Sequence, residues 1–155
     1  MQRQVRALLA AAVAACALTG CASTPQASAG RDAEAKLFIP QPADATIYIY
    51  RPDKSAVSED DTVIWINGRL IGASLPQTYF QVYAVPGIQA LKGIAPDNGQ
   101  LRLEVRPGEI YFVRLQVLGG QSFFSPVEAS KGRQELTACC VLLENWRPGQ
   151  RPLLR

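Results

Sequence analysis

The residues of this chain best equipped for chemistry are its four cysteines, Cys16, Cys21, Cys139 and Cys140. A thiol can act as nucleophile, metal ligand, acyl acceptor or disulfide partner, and its surroundings decide which. No histidine accompanies them, so the commonest general base and the commonest metal ligand are both missing. A Ser-His-Asp set cannot be assembled, and neither a G-x-G-x-x-G string nor a phosphate loop occurs. The adjacent pair Cys139-Cys140 lacks metal-ligand spacing. The acidic run Glu59-Asp60-Asp61 has no glycine-bearing loop of oxygen ligands around it and reads as a solvated loop, not a calcium site. Carboxylates such as Glu104 and Glu109 are the remaining route to catalysis. The expectation is a protein that is not an enzyme and carries no metal and no cofactor.

Position gives Cys21 a role of its own. Arg3 and Arg6 precede an apolar run over residues 7–18, the length of a signal-peptide core and too short to cross a bilayer. The closing string Leu18-Thr19-Gly20-Cys21 resembles the lipobox of bacterial lipoproteins. That resemblance implies diacylglycerylation of the Cys21 thiol, cleavage between Gly20 and Cys21, and acylation of the new amine. Residues 1–20 would then be a signal peptide, and the 135 residues that follow have the size of one domain. Ala22, not an aspartate, follows the cysteine. By resemblance to lipoproteins sorted on that position in many Gram-negative bacteria, this implies lipid anchoring in the outer membrane, on its periplasmic face.

Charge narrows the partners. The chain has 16 basic and 13 acidic side chains, and loss of Arg3 and Arg6 leaves 14 against 13. A nucleic-acid binder wants a clear basic surplus on one face, so none is expected. The remaining partners are the membrane, through the acyl chains, and an envelope protein or cell-wall glycan.

The elements that must position any site read as strands. Residues 21–44 open with a small, polar stretch and are expected to be the lipidated cysteine and a flexible linker. Leu37-Phe38-Ile39 would be where the chain docks onto the domain. From residue 45 to 145 short apolar strands alternate with turn residues, and residues 146–155 form a basic tail. Thr46-Ile47-Tyr48-Ile49-Tyr50 is apolar on both faces and suits a central strand. Asn67-Gly68 is a two-residue hairpin turn, pairing Ile66 with Arg69, Trp65 with Leu70 and Ile64 with Ile71. Further strands are expected over 79–85, 88–95, 101–105, 110–118 and 122–125. A bulged loop that pairs Val105 with Tyr111 would put the apolar sets of two of them on one face. After Gly132 the period changes: Leu136, Cys139, Cys140 and Leu143 form one stripe of a helix over 133–144. The fold expected is mainly β, a small antiparallel sandwich-like domain of about seven to eight strands with one short C-terminal helix. Cys139 and Cys140 have three open fates: burial as small apolar residues, a vicinal disulfide, or a bond to another chain. Their place on the helical stripe favours burial.

Several pieces together resemble the small bacterial lipoproteins known as domain of unknown function 2846. They are Ile49-Tyr50-Arg51-Pro52, Ile66-Asn67-Gly68 with Ile71-Gly72, Val85-Pro86-Gly87, and Gly108 with Tyr111-Phe112-Val113-Arg114. They span about half of the chain after residue 20. The resemblance implies a small β-rich domain on a lipoprotein signal, with no established activity and no catalytic residues to carry over. The Cys139-Cys140 pair and the basic tail depart from that pattern.

Two functions follow as expectations. In the first, acylated Cys21 anchors a non-enzymatic β-domain that serves interaction or structure in the envelope. In the second, the domain binds peptidoglycan or polysaccharide on an aromatic surface built from Trp65, Tyr79 and Tyr83, with Arg114 beside it. Against that surface stands the commoner use of such rings as core-filling strand residues. For Arg51 and Arg114 the simpler expectation is that both extend from the sheet edge into water.

Overall fold

In the computed structural model, residues 24–53, 62–94, 99–118 and 121–145 are described. The signal segment, Cys21, the run Glu59-Asp60-Asp61 and the tail 146–155 lie outside them. The element order is α1 (Ala29–Ala35), β1 (Ala45–Arg51), β2 (Thr62–Ile66), β3 (Arg69–Ser74), β4 (Thr78–Ala84), β5 (Gly87–Ile94), β6 (Gln100–Val105), β7 (Ile110–Leu118), β8 (Gln121–Val127), α2 (Ala129–Cys139) and β9 (Val141–Leu142). The strands form two sheets, β8-β7-β1-β4-β9 and β3-β2-β5-β6. The fold is mainly β and sandwich-like, as the strand pattern implies.

β1 is the central strand, flanked by β4 (antiparallel) and β7 (parallel). Its alternation explains why it is apolar on both faces. Ala45, Ile47 and Ile49 join Ile64, Ile71, Phe80, Leu91 and Val113 in the core between the sheets. Tyr48 and Tyr50 point the other way, into a second core with Tyr79, Phe112, Leu136 and Leu142 beneath the two helices.

The β2–β3 hairpin turns at Asn67 (φ 50°) and Gly68 (φ 77°), the left-handed pair such a turn requires. Ile66 pairs with Arg69 and Trp65 with Leu70, and then a bulge shifts the register so that Ile64 faces Gly72 and not Ile71. Gly72 suits that place because the Phe80 ring lies 2.9 Å from where a Cβ would be.

The expected β6–β7 hairpin does not form. β6 pairs with β5, and β7 pairs with β1 and β8 in the other sheet. Two apolar sets can share one core from opposite layers as well as from one layer, and Arg106 to Glu109 is the corner between sheets. The Tyr111 hydroxyl accepts the Arg106 N–H at 3.0 Å and donates to Glu109 at 2.5 Å, which fixes that corner.

Two further expectations are corrected. The helix runs over Ala129–Cys139, not 133–144, with Glu128 as its N-cap accepting from the N–H groups of Ser130 (3.0 Å) and Lys131 (3.2 Å). Cys140 is already extended, and Val141-Leu142 becomes a strand beside β4. Leu143 fitted the helical period by coincidence; it is buried between the sheets. Residues 24–44, expected as linker, are folded onto the domain. The Thr24 hydroxyl donates to Ala73 O (2.8 Å) and accepts from Ala73 N (2.9 Å). Gln26 bridges Leu143, and Ser28 caps α1 by accepting from Arg31 N. A polar composition concealed the few residues that do the packing: Ala27, Ala35 and Phe38.

Candidate functional site

The residues expected to make an aromatic surface do not converge. Ile64 and Ile66 point into the inter-sheet core, so Trp65 between them faces outward from the four-stranded sheet. Tyr79 and Tyr83 belong to the outer face of the opposite layer. Tyr79 is buried beneath α1, its hydroxyl donating to the Asp32 carbonyl at 3.3 Å, while Tyr83 is half exposed. A glycan cannot stack on both layers of a sandwich at once.

Arg114 does not reach into water either. Its Nε donates to Glu135 Oε2 at 3.1 Å and its Nη2 to both carboxylate oxygens. Tyr50 Oη donates to the same Oε2 at 2.6 Å. This Tyr50–Glu135–Arg114 cluster pins α2 to the centre of the five-stranded sheet. Burial alone would push the Glu135 carboxyl up, but the hydrogen bonds from Tyr50 and Arg114 and the guanidinium charge outweigh it and hold the pKa below the usual value. Burial, and then the bond to the Glu135 carboxylate, push Tyr50 up to about 12. The cluster therefore stays as an ion pair with a neutral phenol near neutral pH. It suits clamping, not proton transfer. No spacing rule joins residues 50, 114 and 135, so only the fold reveals them.

Arg51 is fully buried, the opposite of the expectation. Its Nη1 donates to Ser74 O at 3.3 Å and its Nε lies 4.0 Å from the Asp53 carboxylate. Cys140 Sγ lies 3.7 Å from the Arg51 carbonyl oxygen. Cys139 and Cys140 are joined in a vicinal disulfide, one of the three fates left open by the sequence, and Cys140 is also buried. Cys139 ends α2 while Cys140 has left it, so the two side chains are not spread around one helix.

A second cluster secures α1. Asp32 Oδ1 accepts the Leu142 N–H (2.8 Å) and Oδ2 accepts from Lys36 (2.7 Å). Burial would raise the Asp32 carboxyl, but these bonds, with a contribution from Tyr79, bring it below its ordinary value. The Tyr48 hydroxyl donates to Ala35 O at 2.7 Å and accepts from Gln81 at 2.9 Å. Arg31 forms an exposed ion pair with Glu144.

Between the starts of β6 and β8 lies an open cleft of about 430 Å3, lined by Gly99, Gln100, Gln121, Ser122, Phe123 and Ser125 among others. None of its described lining residues is ionisable. Glu104 is exposed on β6 and Glu109 sits in the β6–β7 corner, so the two carboxylates considered for catalysis share no pocket with it. Among the described residues no group of three His, Cys, Asp or Glu side chains could hold a metal ion, and no helix is long and apolar enough to cross a membrane. No protein-family model matches the chain, and no curated protein or solved structure matches it either.

Proposed function

We propose that this chain is an envelope lipoprotein, held in the outer membrane by acyl chains on Cys21, whose sandwich is a non-enzymatic interaction or structural module in the periplasm. The observation that carries this reading is the order of signals at the N-terminus. Two arginines, an apolar core and Leu18-Thr19-Gly20-Cys21 stand shortly before Thr24, the first described residue, which is bonded to the domain at Ala73. Each buried CH₂ of an acyl chain contributes about 0.8 kcal/mol to membrane retention, and more than one chain makes it long-lived. The resemblance to domain of unknown function 2846 supports the same reading. The scattering of Trp65, Tyr79 and Tyr83 over two layers gives the glycan-binding alternative no support.

Metabolic labelling with an alkyne fatty acid tests this. The wild-type chain should take up label and fractionate with the outer membrane, and Cys21→Ser should lose both properties. Label that persists in Cys21→Ser would place the anchor elsewhere and overturn the reading.

A further inference from the structure

The two sheets end in the edge strands β8, β9, β3 and β6, and an open edge invites another strand unless something blunts it. Three of these edges are protected. Beside β9, the Ala27 N–H donates to Leu142 O and the Glu144 N–H to Pro25 O, each at 2.8 Å. On β3 the Thr24 hydroxyl engages both backbone groups of Ala73. β8 carries Pro126, which has no N–H to offer. β6 has no proline, and among the described residues no strand pairs with its outer side. β8 abuts the start of β6, where a Cβ on Gly99 would meet Ser122 O at 2.1 Å.

The β5 register decides which β6 groups face outward. Ala90 turns its backbone toward β2, its carbonyl accepting the Asn67 N–H at 2.9 Å, while the Gly93 N–H donates the other way to Gly99 O at 2.9 Å. Backbone direction alternates along a strand, so Gln89 and Leu91 bond their β6 partners Leu103 and Leu101. The N–H and C=O groups of Arg102 and Glu104 therefore point away from β5, and among the described residues they have no hydrogen-bond partner. Both side chains are exposed, and neither belongs to an ion pair among the described residues. Leu101 and Leu103 alternate with them, half-buried at the margin of the inter-sheet core.

We infer that this edge binds a second copy of the chain, β6 against β6 and antiparallel, about a two-fold axis at Leu103. Arg102 then faces the second copy's Glu104, and Glu104 faces its Arg102. All four residues turn their backbone groups outward, so each pair exchanges both N–H···O bonds. Leu103 meets its counterpart on the axis and Leu101 meets Val105, which carries the apolar margin across the junction. Other registers fail. A shift of one residue sets charged side chains against apolar ones. A shift of two puts Arg102 opposite Arg102 or Glu104 opposite Glu104, and like charges directly opposite destabilise a sheet. The contact is isologous, so it closes as a dimer and does not propagate. It does not depend on acylation of Cys21.

Sedimentation velocity of the full chain in a density-matched nonionic detergent tests this. The wild type is expected to sediment as a dimer. Arg102→Glu and Glu104→Arg each replace two opposite-charge pairs by two like-charge pairs, so self-association of either should weaken at least about tenfold. Mixed in equal amounts, these two variants should pair with each other, because every contact between positions 102 and 104 then joins opposite signs. The double variant Arg102→Glu with Glu104→Arg should dimerise like the wild type. Circular dichroism checks that each variant is folded. A monomeric wild type overturns the inference. A dimer that both single reversals leave intact overturns it too, by placing the contact on another surface. Loss that neither the mixture nor the double variant recovers overturns this register and the pairing with it.

Discussion

The Glu144 backbone N–H donates to the carbonyl of Pro25 at 2.8 Å, so the two ends of the described chain lie side by side. Beside them the Ala27 N–H donates to Leu142 O at 2.8 Å. The described chain from Thr24 onward is therefore part of the sheet system, joining the β9 edge of one sheet to β3 of the other through Thr24 and Ala73.

Asp32 should behave as a core-supporting residue. Asp32→Ala removes the acceptor of the Leu142 N–H and the partner of Lys36. A half-buried donor left without a partner costs about 1–3 kcal/mol. Thermal melts should show a clear fall in Tm for Asp32→Ala and almost none for Glu34→Ala, which is exposed on the same helix. Equal, unchanged midpoints would mean that α1 contributes nothing to the fold.

Two glycines in helices should respond to alanine with opposite signs. At Gly132 a Cβ would lie 2.3 Å from Phe112 Cγ and 2.5 Å from its Cβ, a contact only possible if α2 lifts off the sheet. Overpacking of this kind costs about 1–3 kcal/mol. At Gly30 nothing lies within 4 Å, and alanine gains up to about 1 kcal/mol of helix propensity. Urea titration should lower the midpoint for Gly132→Ala and raise it slightly for Gly30→Ala.

Much of this architecture is legible in the sequence, and most of what is not shares a cause. Asn67-Gly68 fixes its turn because few residue pairs accept two positive φ values, and β1 declares itself by being apolar on both faces. Partner choice is less legible. Val105 and Tyr111 look like hairpin neighbours because they are close in sequence, yet the apolar alternation of β6 and β7 satisfies two layers as readily as one. The same holds for the clamp. Tyr50, Arg114 and Glu135 come from β1, β7 and α2, and no local pattern records that these elements meet. Residues 24–36 failed for another reason: their polar composition outweighs a handful of packing residues and one capping serine.

Ionisation should destabilise the domain at both extremes of pH. Asp32 and Glu135 are held below their ordinary values of 3.8 and 4.5. A lowered folded pKa means that their contribution is complete above those values and is lost as pH falls through the lower folded ones. Tyr48 and Tyr50 are pushed up to about 12, burial being the main cause for both, against an ordinary 10.0. Tyr79 is raised too, by burial and by Asp32. A raised folded pKa means full stability below pH 10 and progressive loss as pH rises toward 12. Absorbance at 295 nm should therefore show these phenols ionising together with the loss of far-ultraviolet circular dichroism. Phenol ionisation well below the unfolding transition for all three would contradict their burial.

The Cys139-Cys140 bridge should matter little to global stability and be silent toward alkylating reagents. A disulfide stabilises chiefly by closing a loop in the unfolded chain, and the effect grows with loop length. Here the bonded residues are adjacent, so the entropic gain is minimal. What remains is packing, since Cys140 is buried against Arg51 and Leu142 beneath α2. The double change Cys139→Ala and Cys140→Ala should cost about 1 kcal/mol, by the loss of two sulfur atoms from a partly buried corner, well short of the 2–5 kcal/mol typical of a native long-loop bridge. Maleimide treatment of the unfolded, unreduced protein should label neither residue, and treatment after reduction should label both. The membrane fraction on a non-reducing gel should run as monomer, because each sulfur already has its partner within the chain. A reducible dimer that disappears with Cys139→Ala would show that the bond joins two copies of the chain instead.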